Sequence, residues 1–354
     1  MTLDLTGYRR RTRRIRLLRS ACLLCLASTL WGLWIWSGSN LSLEEARLWT
    51  TVRDAERAVG EWRLRRGSQA SHESDPWDLG LIGLEWSPLS TTLGSLPSKR
   101  TACHPSWALA ALRWFDRLEL SPGDSVAVLS SASFPGMLLN VLMAAEYRGL
   151  DVSLLVSLGS STWGCNDPKA PWPLMAQALR RLGFLHVRAQ VYTPGGEGET
   201  GGGLSPEAWA VMERTASEVG VPLRRCGSKS EVIRWKMSWI RSLDPKAVIS
   251  IGGSSANMGD DPAILTLSPG IHRPGETEGG DGVIGRALKS GYPVIHLLNL
   301  RELADREGIP FDRKPVMWGG GRRSTGGALL GLFLYGAALY GLGRIRFCHD
   351  IEND

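Results

Sequence analysis

Residues 124–168 read DSVAVLSSASFPGMLLNVLMAAEYRGLDVSLLVSLGSSTWGCNDP. The run 125–129 is short, apolar and β-branched, the pattern of a buried strand. It stops at Ser130, and small or turn-forming residues follow: Ser131, Ala132, Ser133, Pro135 and Gly136. Leu138, Leu139, Val141, Leu142 and Ala145 then recur at helical spacing, and Gly149 stands where a helix end favours a left-handed residue. Residues 152–156 form a second apolar run that gives way to a small, polar loop over 157–166. Strand, loop, helix, strand is a βαβ unit, and its crossover is right-handed. Ligands of open α/β sheets bind beyond the carboxyl ends of the strands, so any site is expected at these two loops.

Outward from this unit the alternation continues. A strand is expected over 79–84, and helices over 107–118, 172–182, 206–219 and 231–243. Further strands are expected over 186–191, 247–251 and 294–297, with a short helix over 283–289. The segment 194–203 carries six Gly and reads as a mobile lid or a loose surface loop. Residues 41–66 form one helix with a narrow apolar stripe (Leu48, Val52, Ala55, Val59, Trp62), a stalk, a docking helix or a pairing surface. The fold class is α/β: a mostly parallel, Rossmann-like sheet with helices on both faces.

The formal charge of +6 is a property of one end, because residues 1–19 hold seven Arg and one Asp. The remainder is near neutral and offers no basic face with interleaved aromatics, which excludes nucleic-acid binding. Six Cys show no disulfide framework, and neither they nor His72 and His104 have metal-ligand spacing, so no metal and no cofactor are expected.

Both ends carry uncharged runs. Residues 20–37, with Trp31, Trp34 and Trp36 at the far end, read as a transmembrane helix behind an Arg-rich cytoplasmic tail (1–19). Residues 325–343 read as a second span, with 344–354 returning to the cytoplasm. The expected organisation is therefore an inner-membrane protein with a helix and linker (41–76) and an extracytoplasmic domain (77–318) between two anchors.

The expected crevice is rich in small residues after Ser130, Ser157 and Ile251, which let backbone N–H groups approach an anion. None is a P-loop or dinucleotide fingerprint. Candidate ligand-binding residues are Glu85, Thr91, Lys99, Arg100, Ser131, Ser133, Ser160, Ser161, Asn166, Asp167, Gly252, Gly253, Ser254 and Asn257. Nucleophilic catalysis would draw on Ser131, Ser133, Ser160, Ser161 or Ser255, with Lys99, His104, His272 or His296 as base. No G-x-S-x-G elbow or S-x-x-K pair assigns these roles, and the catalytic residues stay open. Asp260 and Asp261 complete the set of acids near the strand ends.

The blocks GLEWSPLSTTLGSLPSKRTACHPSWAL (83–109), SLGSSTWGCNDP, GLSPEAW, ISIGGSSANMG and DGVIGRALKSGYPVIHLLNLRELADREGIPFD, in this order and with the central unit, resemble the poly-γ-glutamate system protein family. The resemblance covers residues 80–313. It implies an accessory component of poly-γ-glutamate capsule synthesis or export, with the polymer or the synthesis and export subunits as partners. It brings no catalytic set; Lys99, Arg100, Ser131, Ser133, Ser161, Asn166, Asp167, Gly252 and Gly253 match its recurring blocks. Ser254-Ser255-Ala256 departs from its pattern. Three readings remain open: a module that binds anionic polymer or export subunits, a serine-dependent hydrolase or transferase on the same polymer, and an intramembrane scaffold without a ligand site.

Overall fold

The computed structural model describes residues 5–37, 41–68, 70–317 and 325–344. They divide into two units: Ser42–Met317, and Met1–Leu41 with Trp318–Asp354. In chain order, α1 (Leu5–Ser37) precedes α2 (Leu43–Arg65), β1 (Ser90–Thr92), α3 (Leu96–Ala102) and α4 (Ser106–Arg117). The central unit is β2 (Ser125–Ser131), α5 (Pro135–Arg148) and β3 (Asp151–Ser157). Then come β4 (Ser160–Ser161), α6 (Trp172–Arg181), β5 (Ala189–Thr193), α7 (Pro206–Val219) and α8 (Lys229–Leu243). The chain continues through β6 (Ala247–Ile251), α9 (Ser255–Met258), β7 (Gly270–His272), α10 (Val283–Lys289), β8 (Val294–Leu297) and α11 (Leu300–Glu307). The last element is α12 (Thr325–Arg344).

Local chemistry sets the central boundaries. Pro135 opens α5, where its missing N–H costs nothing, and Gly149 closes it at φ 73°. The six-stranded sheet has the order β5-β3-β2-β6-β8-β7. All pairs are parallel except β7 with β8. The chain works outward from β2 through β3 to β5, then restarts at β6 on the other side of β2. The β2/β6 boundary is thus the topological switch point, the place where open α/β sheets bind their ligands. One face of the sheet, with Ala127, Leu129 and Val248, is covered by Val232, Ile233 and Met237 of α8 and Ile284 and Ala287 of α10. On the other face α5 packs against β3, with α4 and α2 behind it.

The amphipathic stripe of α2 docks on the sheet unit: Leu48, Trp49, Val52, Ala55 and Val59 are buried. Its last turns meet the segment after residue 74. A Cβ at Gly80 would lie 2.3 Å from Glu56 O, and φ there is 77°, so only glycine fits this approach. The strand expected over 79–84 is not one. Leu79, Leu81 and Ile82 are buried, but side chains take the backbone groups a ladder would use. The Asp75 carboxylate accepts from Leu79 and Gly80 N–H at 2.8 and 2.9 Å. Arg63 Nη1 donates to Gly80 O and Ile82 O at 2.8 and 2.7 Å.

The expected membrane architecture is corrected. Among the described residues no helix is long and apolar enough to cross a membrane. The uncharged run before residue 37 does not form a helix of its own; α1 extends back through the Arg cluster to Leu5, and Ser20, Ser28 and Thr29 interrupt its apolar half. In α12 six glycines with Tyr335 and Tyr340 dilute the aliphatic residues. The transmembrane helices at 20–37 and 325–343, the inner-membrane localisation and the outward-facing domain therefore have no support. Residues 1–4 and 345–354 of the expected tails lie outside the described residues.

Candidate functional site

At the carboxyl edge of β2 and β3 the structure gathers Lys99, Ser131, Ser133 and Ser161. β4 follows β3 directly and pairs with β1, so that Thr92 stands opposite Ser161. This ladder fixes the segment leading into α3, and α3 delivers Lys99 to the loops. Lys99 is 2% exposed. Its Nζ donates to Ser161 Oγ at 2.7 Å and to the Ser133 carbonyl, and lies 3.7 Å from the centre of the Phe134 ring. Among the described residues no carboxylate forms an ion pair with it. Burial without a counter-charge pulls its pKa from 10.5 down to about 7. The neighbouring Cys165 thiol is itself pushed up by burial, so it stays protonated and neutralises nothing.

Ser133 ties the two loops together. Its Oγ accepts from Ser161 N–H and from Ser131 Oγ–H, each at 2.9 Å, and its own N–H donates to Ser131 Oγ at 3.1 Å. It immediately precedes Phe134, the N-cap of α5, so the positive end of that helix faces the same place. Two glycines allow the approach. A Cβ at Gly94 would lie 3.0 Å from Ser161 Oγ and 3.1 Å from Lys99 Cε. One at Gly252 (φ 85°) would lie 3.1 Å from Ser131 Cβ and 3.4 Å from the Phe134 ring, which brings the β6 loop against the β2 loop. A lysine amine that is substantially neutral near pH 7, in contact with a serine hydroxyl, can take that hydroxyl's proton.

A second cluster lies in the same group of loops. Glu199, from the Gly-rich segment after β5, accepts from Thr193 Oγ1 at 2.6 Å, from Lys236 Nζ at 2.6 Å and from Ser254 Oγ. Lys236 also donates to Asn257 Oδ1 at 2.8 Å, and Asn257 Nδ2 reaches Ser250 Oγ at 3.3 Å. Glu199 and Lys236 are each 1% exposed, and burial pulls the Lys236 pKa down against the pull of Glu199. The Gly-rich segment is therefore pinned by a buried ion pair. It is neither a lid standing open nor a loose loop.

The other expected residues have different neighbours. Asn166 is spent on its own chain, accepting from Leu84 N–H and donating to Leu84 O and Ser90 Oγ, all at 2.8 Å. Asp167 accepts from Ser68 Oγ–H and from Lys169 N–H and faces Arg63 at 3.9 Å. Arg100 turns away, to Ser74 O, Glu73 O and Asp312. Ser160 is fully buried and donates to main-chain carbonyls, and Thr91 Oγ1 donates to Ser160 O at 3.2 Å. Glu85 is exposed on a turn. Gly253 is exposed beside Ser254, and Ser255 Oγ is buried without a partner among the described residues.

Of the expected bases, His104 accepts from Ser106 N–H at 3.2 Å, and burial pulls its pKa down to about 4. Burial also lowers His296 to about 4, and His272 bonds Ser268 O. Among the described residues none of these histidines bonds Ser131, Ser133, Ser160, Ser161 or Ser255. Asp260 pairs with Lys229, and the Asp260 and Asp261 N–H groups both donate to Asp281. Among the described residues no group of His, Cys, Asp and Glu is placed to hold a metal ion.

Four contributors were not anticipated: Gly94, Phe134, Glu199 and Lys236. Lys236 carried a signal, a charge set within the buried face Val232, Ile233, Met237 and Ile240 of α8. Comparison with family models, curated proteins and solved structures finds no match for the chain.

Proposed function

We propose that this chain is a serine-dependent hydrolase or transferase acting on an anionic amide polymer of the poly-γ-glutamate type, with Ser161 as nucleophile and Lys99 as base. The observation that carries the reading is the 2.7 Å contact between Ser161 Oγ and a buried lysine that has no counter-ion among the described residues. In the first step Lys99 Nζ takes the Ser161 proton while Oγ bonds to an amide carbonyl carbon. The tetrahedral intermediate collapses, the C–N bond breaks, and the leaving amine receives that proton from Lys99. Water, deprotonated by Lys99, then attacks the ester, the bond to Ser161 Oγ breaks, Lys99 returns the proton to Oγ and the acyl group leaves as a carboxylate; an amine in place of water completes a transfer. The choice of polymer rests on the sequence resemblance and on the surplus of hydrogen-bond donors at the site.

One observation favours a second reading, a polymer-binding module without turnover. Lys99 lacks a carboxylate, and a side chain of the polymer would supply it. The two readings have opposite pH dependence. A base must be neutral, so turnover rises with pH and levels off above about 7, whereas a carboxylate receptor must be charged, so affinity falls as pH rises through about 7. Lys99→Arg keeps the charge and removes the base. The test measures chain length and binding of oligo-γ-glutamate for the parent, S161A and K99R. Shortening or transfer lost in both variants is expected; saturable binding retained in K99R, with no product from any of them, replaces the enzyme by the module.

A further inference from the structure

Resting on the serine–lysine reading, we infer that Ser133 is a further catalytic residue, whose hydroxyl proton stabilises the oxyanion formed when Ser161 attacks. A serine hydroxyl has two acceptor lone pairs and one donor hydrogen. Both acceptor positions of Ser133 Oγ are occupied, by Ser131 Oγ–H and by the Ser161 amide, each at 2.9 Å. Its hydrogen has no acceptor among the described residues, and Ser133 is partly exposed where Ser131 and Ser161 are buried. A hydroxyl that already accepts two hydrogen bonds is a polarised donor.

The placement agrees with this role. The bond from Ser161 N–H to Ser133 Oγ puts Ser133 beside the backbone of the nucleophile. Lys99 holds the Ser133 carbonyl and the Ser161 hydroxyl at once, so base, nucleophile and donor move as one assembly. The amino end of α5 lies behind the same point and adds its partial positive charge. The free hydroxyl hydrogen thus points to negative charge that is present only once a ligand has reacted.

An alkyl fluorophosphonate tests this on the full chain without knowledge of the natural substrate. Ser161 Oγ bonds to phosphorus, the P–F bond breaks, fluoride leaves and Lys99 takes the proton; the phosphoryl oxygen of the adduct stands where the oxyanion would. Peptide mass spectrometry is expected to place the adduct on Ser161. Ser133→Ala is expected to slow labelling about 100-fold. Ser133→Thr, which keeps the hydroxyl, recovers most of the rate.

Ser133→Cys, with a weaker donor of similar shape, serves if the alanine variant does not fold, with an expected slowing of about 10-fold. The pH profile of labelling is expected to keep its midpoint in every Ser133 variant, whereas a merely structural role that displaced Lys99 would move it. Labelling of S133A at the parent rate overturns the inference and leaves the serine–lysine pair standing, whereas an adduct on Ser133 itself overturns both. No adduct in the unsubstituted chain removes that pair, and this inference with it.

Discussion

Lys99 stores free energy. In the unfolded chain it titrates near 10.5 and in the folded chain near 7, so within that range the unfolded state binds a proton the native state resists. Its contribution to stability is fully present above the unfolded value and is lost as pH falls through about 7. Lys99→Met, similar in volume and uncharged, is therefore expected to stabilise the fold at pH 7 by up to about 5 kcal/mol. Urea unfolding of both proteins should show the gap closing toward pH 10.5 while activity is absent from the variant throughout. A gap independent of pH would mean that the amine is not desolvated.

Glu56 runs the other way. Fully buried beside Arg53, its carboxyl is raised by burial to about 8, so its contribution to stability is greatest below pH 4.5 and declines up to about pH 8. Glu56→Gln, which cannot ionise, is expected to flatten that decline. The residue types at the site were readable, because small hydroxyl residues stop the apolar runs of β2 and β3 at their carboxyl ends. Partnership was not readable. Asn166, Asp167 and Arg100 share the composition of a ligand site yet are spent on Leu84, Ser68 and Ser74, and only long-range packing distinguishes them from Ser133 and Ser161.

Among the elements, those with strong local rules matched expectation. α7 begins at Ser205-Pro206 and ends at Gly220 with φ 62°, because its capping chemistry lies within a few residues of each end, and α10 covers the expected span. The segment 79–84 failed because its ladder partners were replaced by side chains from Arg63, Asp75 and Asn166, which no local pattern reveals. The Gly-rich segment failed for a similar reason, since one residue in it, Glu199, finds a buried cation on α8. That pair is testable as a cycle. Glu199→Gln or Lys236→Met alone leaves a buried charge uncompensated and is expected to cost about 3–5 kcal/mol. The double variant is expected to cost clearly less than the two together, measured by denaturant unfolding. Additive losses would show that the two charges do not depend on each other.

For the whole molecule, the decisive fact is where the chain reverses its direction of growth across the sheet. Periodicity announces that β2 and β6 are strands, but no local signal says that β6 lies against β2 and not beyond β5. That choice places Gly252 against Ser131 and Phe134. The boundaries of the unit follow from burial in the same way. Glu56 and Arg63 of α2 are buried at 0% and 4% exposure, and Arg63 holds the backbone of Gly80 and Ile82. A chain starting at residue 77 would strip the apolar cover from α4 and α5 and leave those carbonyls without donors. It is expected to aggregate or to unfold without a cooperative transition. Residues 42–317 keep α2 and the Ser42 capping box with Glu45, and therefore the whole core. This segment alone is expected to unfold in a single transition with the denaturant midpoint of the full chain and to label with fluorophosphonate at the same rate. A lower midpoint, or labelling that needs residues outside 42–317, would mean that the ends of the chain complete the unit.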